Sequence, residues 1–166
     1  MTVSPDVNTG VLNVPGGGLI DVLLMTQAPS IKAPIINALS AQGIEEGTPA
    51  FEQFMFLGQL ILDRADPIAY AYHTITEPLE NENFSYVPKN ILMQKAVADE
   101  VINNYTTDHL AKVMGVYSAQ DTDYFKTYTP AGTYGSKHSF IAGNEVSGQE
   151  AREDIIDFYI DAFEEQ

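Results

Sequence analysis

The chain has 166 residues, enough for one domain with a buried core. It carries 23 acidic residues against 8 basic ones, a formal net charge of −15, which repels nucleic-acid phosphates and anionic lipid headgroups. There is no cysteine, so disulfides, thiolate nucleophiles and cysteine-based zinc sites are excluded. No apolar run reaches the roughly 20 residues of a membrane helix. The opening MTVSPDVNTG has neither the basic nor the apolar region of a signal peptide.

Residues 1–10 are polar and read as loose or extended. Val11-Leu12-Asn13-Val14 is a short strand, followed by Pro15 and the triplet Gly16-Gly17-Gly18. The triplet lacks the Lys-Ser/Thr ending of a phosphate-binding loop, so a turn allowing close backbone approach is expected. Residues 19–25 suit a helix or a second buried strand. Residues 31–62 read as helical, with an apolar stripe of Ile35, Ile36 and Leu39 closed near Gly43. Thr48-Pro49 pairs a cap residue with proline in the first turn. The helix that follows carries Phe51, Phe54, Met55, Phe56, Leu57, Leu60, Ile61 and Leu62. These cover nearly the whole circumference, so burial on most sides is expected. Phe51, Phe54 and Met55 are either plain core or the lining of an apolar substrate pocket.

The segment from Asp63 to Pro67 ends that helix, and residues 76–89, rich in Glu, Asn and Pro, form a surface connection. Ile91-Leu92-Met93 opens a buried strand that reaches Asp99 and Glu100, and a helix follows over residues 106–114. Residues 117–133 show no period and are expected as a long loop. A short segment containing His138 comes next. Residues 150–163 form an amphipathic helix with Ile155, Ile156, Phe158, Tyr159, Ala162 and Phe163 on one face. The architecture is therefore α/β: a few mostly parallel strands with flanking helices, in one domain over residues 1–166, with a helical cap over residues 30–75.

A carboxylate at the end of a buried strand, followed along the chain by a histidine, has the order of the acid and base of a Ser–His–acid site. The acid orients the imidazole and stabilises its charged form, and the imidazole carries the proton. Asp99 and His138 stand in that order, while each residue type taken alone is more often structural. His73 and His109 lack a partner at metal-ligand spacing and read as structural. Asp121 and Asp123 offer hard oxygen ligands but not the glycine and distal glutamate of a calcium loop. Asp63 and Asp66 flank Arg64 and read as capping or pairing residues. No cofactor and no metal is called for.

Three segments carry a resemblance. The run from Gln94 to Asn104, QKAVADEVINN, with Thr107, Leu110, Ala111 and Gly115 beyond it, resembles the triad-acid strand and helix of bacterial extracellular lipases of the α/β-hydrolase superfamily. The group is that of virulence-associated lipases and surface lysophospholipases. Gln59 to Ala71, QLILDRADPIAYA, and the Asn13 to Gly18 turn are similar to further segments of that group, and the likeness spans roughly residues 10–163. Alanines 96 and 98 stand where the family has glycine, and Asn103 where it has proline.

The resemblance implies an α/β-hydrolase fold, hydrolysis of carboxylic esters of the acyl-lipid kind, and an extracellular or cell-surface location. It places the triad acid on Asp99 and the catalytic histidine on His138. No Gly-x-Ser-x-Gly occurs in the sequence, so the chain resembles the C-terminal half of a lipase, and the isolated polypeptide is expected to be nearly inactive. The nucleophile would come from another chain or segment. The alternative is a non-catalytic binding module that keeps the hydrolase shape and associates with itself or a partner through an exposed sheet edge.

Overall fold

A computed structural model describes residues 2–81, 84–85, 87–132 and 135–164. Parts of the 76–89 connection and the last residue of the 117–133 stretch therefore lie outside the described residues. The elements run β1 (Thr9–Asn13), α1 (Leu19–Met25), α2 (Pro29–Ser40), α3 (Pro49–Leu62), α4 (Pro67–Ile75), the short pair β2 (Glu80–Asn81) and β3 (Phe84–Ser85), β4 (Asn90–Ala96), α5 (Asn104–Met114), β5 (Phe125–Tyr128), a 3-10 turn (Phe140–Ala142) and α6 (Val146–Glu164). The fold is mixed α/β. Strands β1, β4 and β5 form one open parallel sheet in the order β1-β4-β5, and β2 pairs with β3 antiparallel. Among the described residues no single helix is long and apolar enough to cross a membrane.

The central strand explains the layers. Side chains alternate across a strand, so Ile91 and Met93 face α4 and α5, where they pack with Ala71, Leu110, Ala111, Met114 and Phe125. Ala96 faces the other way, against Val14, Tyr128, Phe140 and Ala151 of α6. A parallel strand covered on both sides is largely apolar, and Gln94 is the one fully buried polar residue of β4. Its amide is satisfied on every side. Oε1 accepts from Asn13 Nδ2 at 2.9 Å, and Nε2 donates to Ala151 O at 2.8 Å and Tyr128 Oη at 3.1 Å. Tyr128 in turn donates to Asp154. Burial, reinforced by the hydrogen bond to Asp154 and its negative charge, holds the Tyr128 hydroxyl far above its ordinary pKa.

Helix starts follow the cap residues. Thr48 accepts from Phe51 N at 3.3 Å, with Pro49 in the first turn, and Asn103 accepts from Tyr105 N at 2.9 Å. Asp66 caps α4 through Ile68 N at 3.0 Å and also reaches back along the chain. Its two oxygens accept from Gly18 N at 2.9 Å and Leu19 N at 2.6 Å. A fourth donor, Gln59 Nε2, lies 3.0 Å away. One buried carboxylate thus ties the glycine turn after β1 to the junction of α3 and α4. Close approach is what the turn requires: a Cβ on Gly16 would stand 2.8 Å from Ile102 Cγ2 and 3.1 Å from Thr106 Oγ1.

Three expectations are corrected. Helix α3 is not buried on most sides. Phe51 and Met55 pack with Leu39 and against Ile20 and Leu24, whereas Phe54, Phe56, Leu57, Leu60 and Ile61 are exposed, Ile61 at 77%. A helix apolar all round still buries only the stripe for which a partner surface exists. The 117–133 stretch is not a loop throughout, because Phe125–Tyr128 forms β5, paired with β4 from Met93↔Phe125 to Ala96↔Tyr128. Four residues are too short to show a period, and pairing decides them. In α6, Ala151, Phe158 and Ala162 are buried, but Ile156 and Phe163 face solvent.

Candidate functional site

The site begins where β4 ends. Val97 N donates to Tyr128 O at 2.8 Å, closing the ladder with β5. Ala98 then turns the chain with φ 57, left-handed backbone that costs a non-glycine residue about 1–2 kcal/mol. The turn delivers Asp99 inward. Its side chain is 1% exposed, while Val97 and Ala98 on the same loop are exposed. Asp99 Oδ1 accepts from Val101 N at 2.8 Å and Ile102 N at 3.1 Å. Its second oxygen, Oδ2, lies 2.9 Å from His138 Nδ1.

His138 comes from the segment between β5 and α6. Ser139 closes a turn onto Gly135 O, through its N at 2.9 Å and its Oγ at 2.7 Å. Phe140 is buried against Tyr128, ring centroids 5.3 Å apart. Arg152 of α6 donates to Ile141 O and, at 2.8 Å, to Gly143 O. The helix comes in close, since a Cβ on Gly148 would meet Phe140 O at 2.4 Å. The backbone on the C-terminal side of His138 is therefore fixed from the core outward, while its side chain stays 32% exposed.

Chemically, a carboxylate can only accept, so the contact assigns the proton of the neutral ring to Nδ1. That leaves Nε2 as the free lone pair. It makes no hydrogen bond to the described residues, and it sits on the more exposed partner of the pair. The acid is held on one oxygen by two backbone amides and on the other by the ring, so its orientation does not depend on the ring's charge. The α1–α2 link abuts this loop, with Gln27 N donating to Glu100 O at 2.8 Å.

The helix residues suggested for a substrate pocket divide. Phe51 lies in the core, Phe54 points outward, and Met55 lines a hollow of about 500 Å³ with Ile20, Leu24, Phe56 and His109. His73 Nδ1 bonds to Glu77 O at 2.7 Å. Asp121 accepts from Thr127 N at 2.8 Å. Asp63 accepts from Gln59 at 2.7 Å and Asp66 is a cap. No group of three or more metal-ligating side chains occurs among the described residues. Sequence reading missed the amides of Val101 and Ile102, since backbone donors leave no trace in a side-chain pattern.

The strained turn gives a direct test. Glycine at 98 removes the left-handed penalty but adds unfolded-chain entropy. Ala98→Gly is expected to stabilise the fold by about 0.5–1 kcal/mol, raising Tm by about 1–3 °C in calorimetry. A lowered Tm would show that φ at 98 is not positive in solution. No protein-family model, no curated protein and no solved structure matches this chain.

Proposed function

We propose that the chain supplies the acid and the imidazole of a serine carboxylic-ester hydrolase acting on acyl esters, on the C-terminal part of an α/β-hydrolase fold. The observation that carries this reading is the 2.9 Å contact between buried Asp99 and His138, at the C-terminal end of a parallel sheet. That end is where α/β enzymes place their chemistry. In this reading a hydroxyl approaches His138 Nε2 and gives up its proton as it attacks the ester carbonyl. Asp99 stabilises the imidazolium that forms, and the proton then passes to the leaving alkoxide. The hydroxyl belongs to another chain or segment, because no Gly-x-Ser-x-Gly is present. The exposed row Phe54, Phe56, Leu57, Leu60 and Ile61 of α3 supplies apolar surface for an acyl chain or a lid.

A second reading, a non-catalytic self-associating module, draws on the outer edge of β1. Asn90 N bonds to Asn8 O and Val14 N to Gln94 O. The alternation of a parallel ladder then turns the backbone groups of Thr9, Val11 and Asn13 away from β4. Such an edge accepts a further strand. A charge of −15 on each copy opposes pairing of like chains, which favours the first reading, with a partner of different charge on that edge.

The test is rate. On a short-chain p-nitrophenyl ester, the isolated chain is expected to turn over no faster than its His138→Ala variant, since triad members act as a unit. Turnover by the isolated chain that disappears in His138→Ala would mean that a nucleophile lies within these residues.

A further inference from the structure

We propose that Asn104 is the positioning residue of the Asp99–His138 pair, an inference that rests on reading that pair as acid and imidazole. Asn104 is the first residue of α5, and its side chain turns back across the loop that carries the acid. Nδ2 donates to Ala96 O at 2.7 Å, and Oδ1 accepts from Ala98 N at 2.8 Å. One primary amide therefore bridges the last residue of β4 and the residue that turns the chain inward. Between them lies Val97, exposed, its N–H held on Tyr128 O.

This bridge explains how an alanine keeps φ 57 at position 98. Left-handed backbone at a non-glycine residue persists only where its surroundings enforce it. Here the enforcing contact is a donor and an acceptor on a single side chain, anchored at the head of a helix. Glycine would make such a turn without help, so with alanine the clamp falls to Asn104. The neighbouring Asn103 does a different job: it accepts from Tyr105 N at 2.9 Å and starts α5. Two adjacent asparagines thus divide the work, one organising the helix and the other the acid loop.

Neither half of the amide is dispensable. Aspartate at 104 still accepts from Ala98 N but repels Ala96 O, and alanine removes both bonds. With the clamp gone, Ala98 relaxes toward negative φ and Asp99 swings off His138 Nδ1.

The readout is the tautomer of His138, followed by the two-bond ¹H–¹⁵N couplings of its ring at about pH 9, above the ordinary imidazole range. The unsubstituted chain is expected to hold the proton on Nδ1. Asn103→Ala, which costs helix stability alone, keeps it there. Asn104→Ala is expected to shift the ring to the Nε2–H form, and Asn104→Asp to lose most of the Nδ1–H signal. A folded Asn104→Ala chain that retains the Nδ1–H form overturns the proposal. If Asn104→Ala does not fold, retention of Nδ1–H by Asn104→Asp overturns it equally. An Nε2–H ring in the unsubstituted chain overturns the underlying pair instead, so the two failures are distinguishable without any activity assay.

Discussion

Asp99→Asn is expected to lower ester hydrolysis by the nucleophile-complete assembly on the order of 10⁴-fold, with KM little changed. The geometry states why so small a change acts so strongly. Oδ1 of Asp99 is committed to the N–H groups of Val101 and Ile102. An amide at this position must therefore keep its oxygen on those donors and turn its NH₂ toward His138 Nδ1. The ring then accepts at Nδ1 and carries its proton on Nε2, where the nucleophile's proton has to arrive. His138→Ala removes the proton carrier and is expected to cost at least 10³-fold. Steady-state kinetics on a p-nitrophenyl ester measure both. Loss of less than about tenfold in either variant would place the chemistry on other residues.

The second large effect concerns stability rather than chemistry. Asp66→Ala is expected to cost about 3–5 kcal/mol, seen as a lower urea midpoint at unchanged slope. The α4 cap accounts for about 1 kcal/mol. The amides of Gly18 and Leu19, left without their acceptor in a tight glycine turn, account for about 1–2 kcal/mol each at the lower end of the usual cost. The same carboxylate sets an acid limit on the fold. Burial alone would raise its pKa, but the hydrogen bonds from Gln59, Ile68, Leu19 and Gly18 together outweigh it and leave the value below 3.8. A group depressed in the folded state stabilises above its unfolded pKa, and the contribution is lost as pH falls through the folded value. The native chain should therefore lose this stability below about pH 4, and Asp66→Asn should lack that part of the pH dependence. An Asp66→Ala midpoint equal to that of the native chain would show that water replaces the carboxylate without cost.

What could be read from sequence was local. The apolar run of β4, the caps Thr48 and Asp66 and the amphipathic stretch of α6 announce themselves because strand burial and helix capping need particular residue types within a few positions. The part of Asp66 that matters most, its reach to Gly18 and Leu19 on the far side of α1, α2 and α3, has no local signature. Strand β5 is invisible for the same reason: Phe-Lys-Thr-Tyr becomes a strand by pairing with Met93–Ala96. Composition overstates the burial of helix α3, because it reports how much apolar surface a helix has, not whether a neighbour covers it. At the site, chain order placed Asp99 ahead of His138, and the fold brings them to 2.9 Å. The clamp that holds the acid loop is carried by Asn104, a residue type equally at home in any helix start. Its pairing with Ala96 and Ala98 could be seen only once the loop was folded.

If Asp99 orients His138 as a base with its Nε2 free, the position of the ring proton records it. The ¹⁵N spectrum of the His138 ring in the unsubstituted chain and in Asp99→Asn tests it most directly. A proton on Nδ1 is expected in the first and on Nε2 in the second. A ring protonated on Nε2 in both would contradict it.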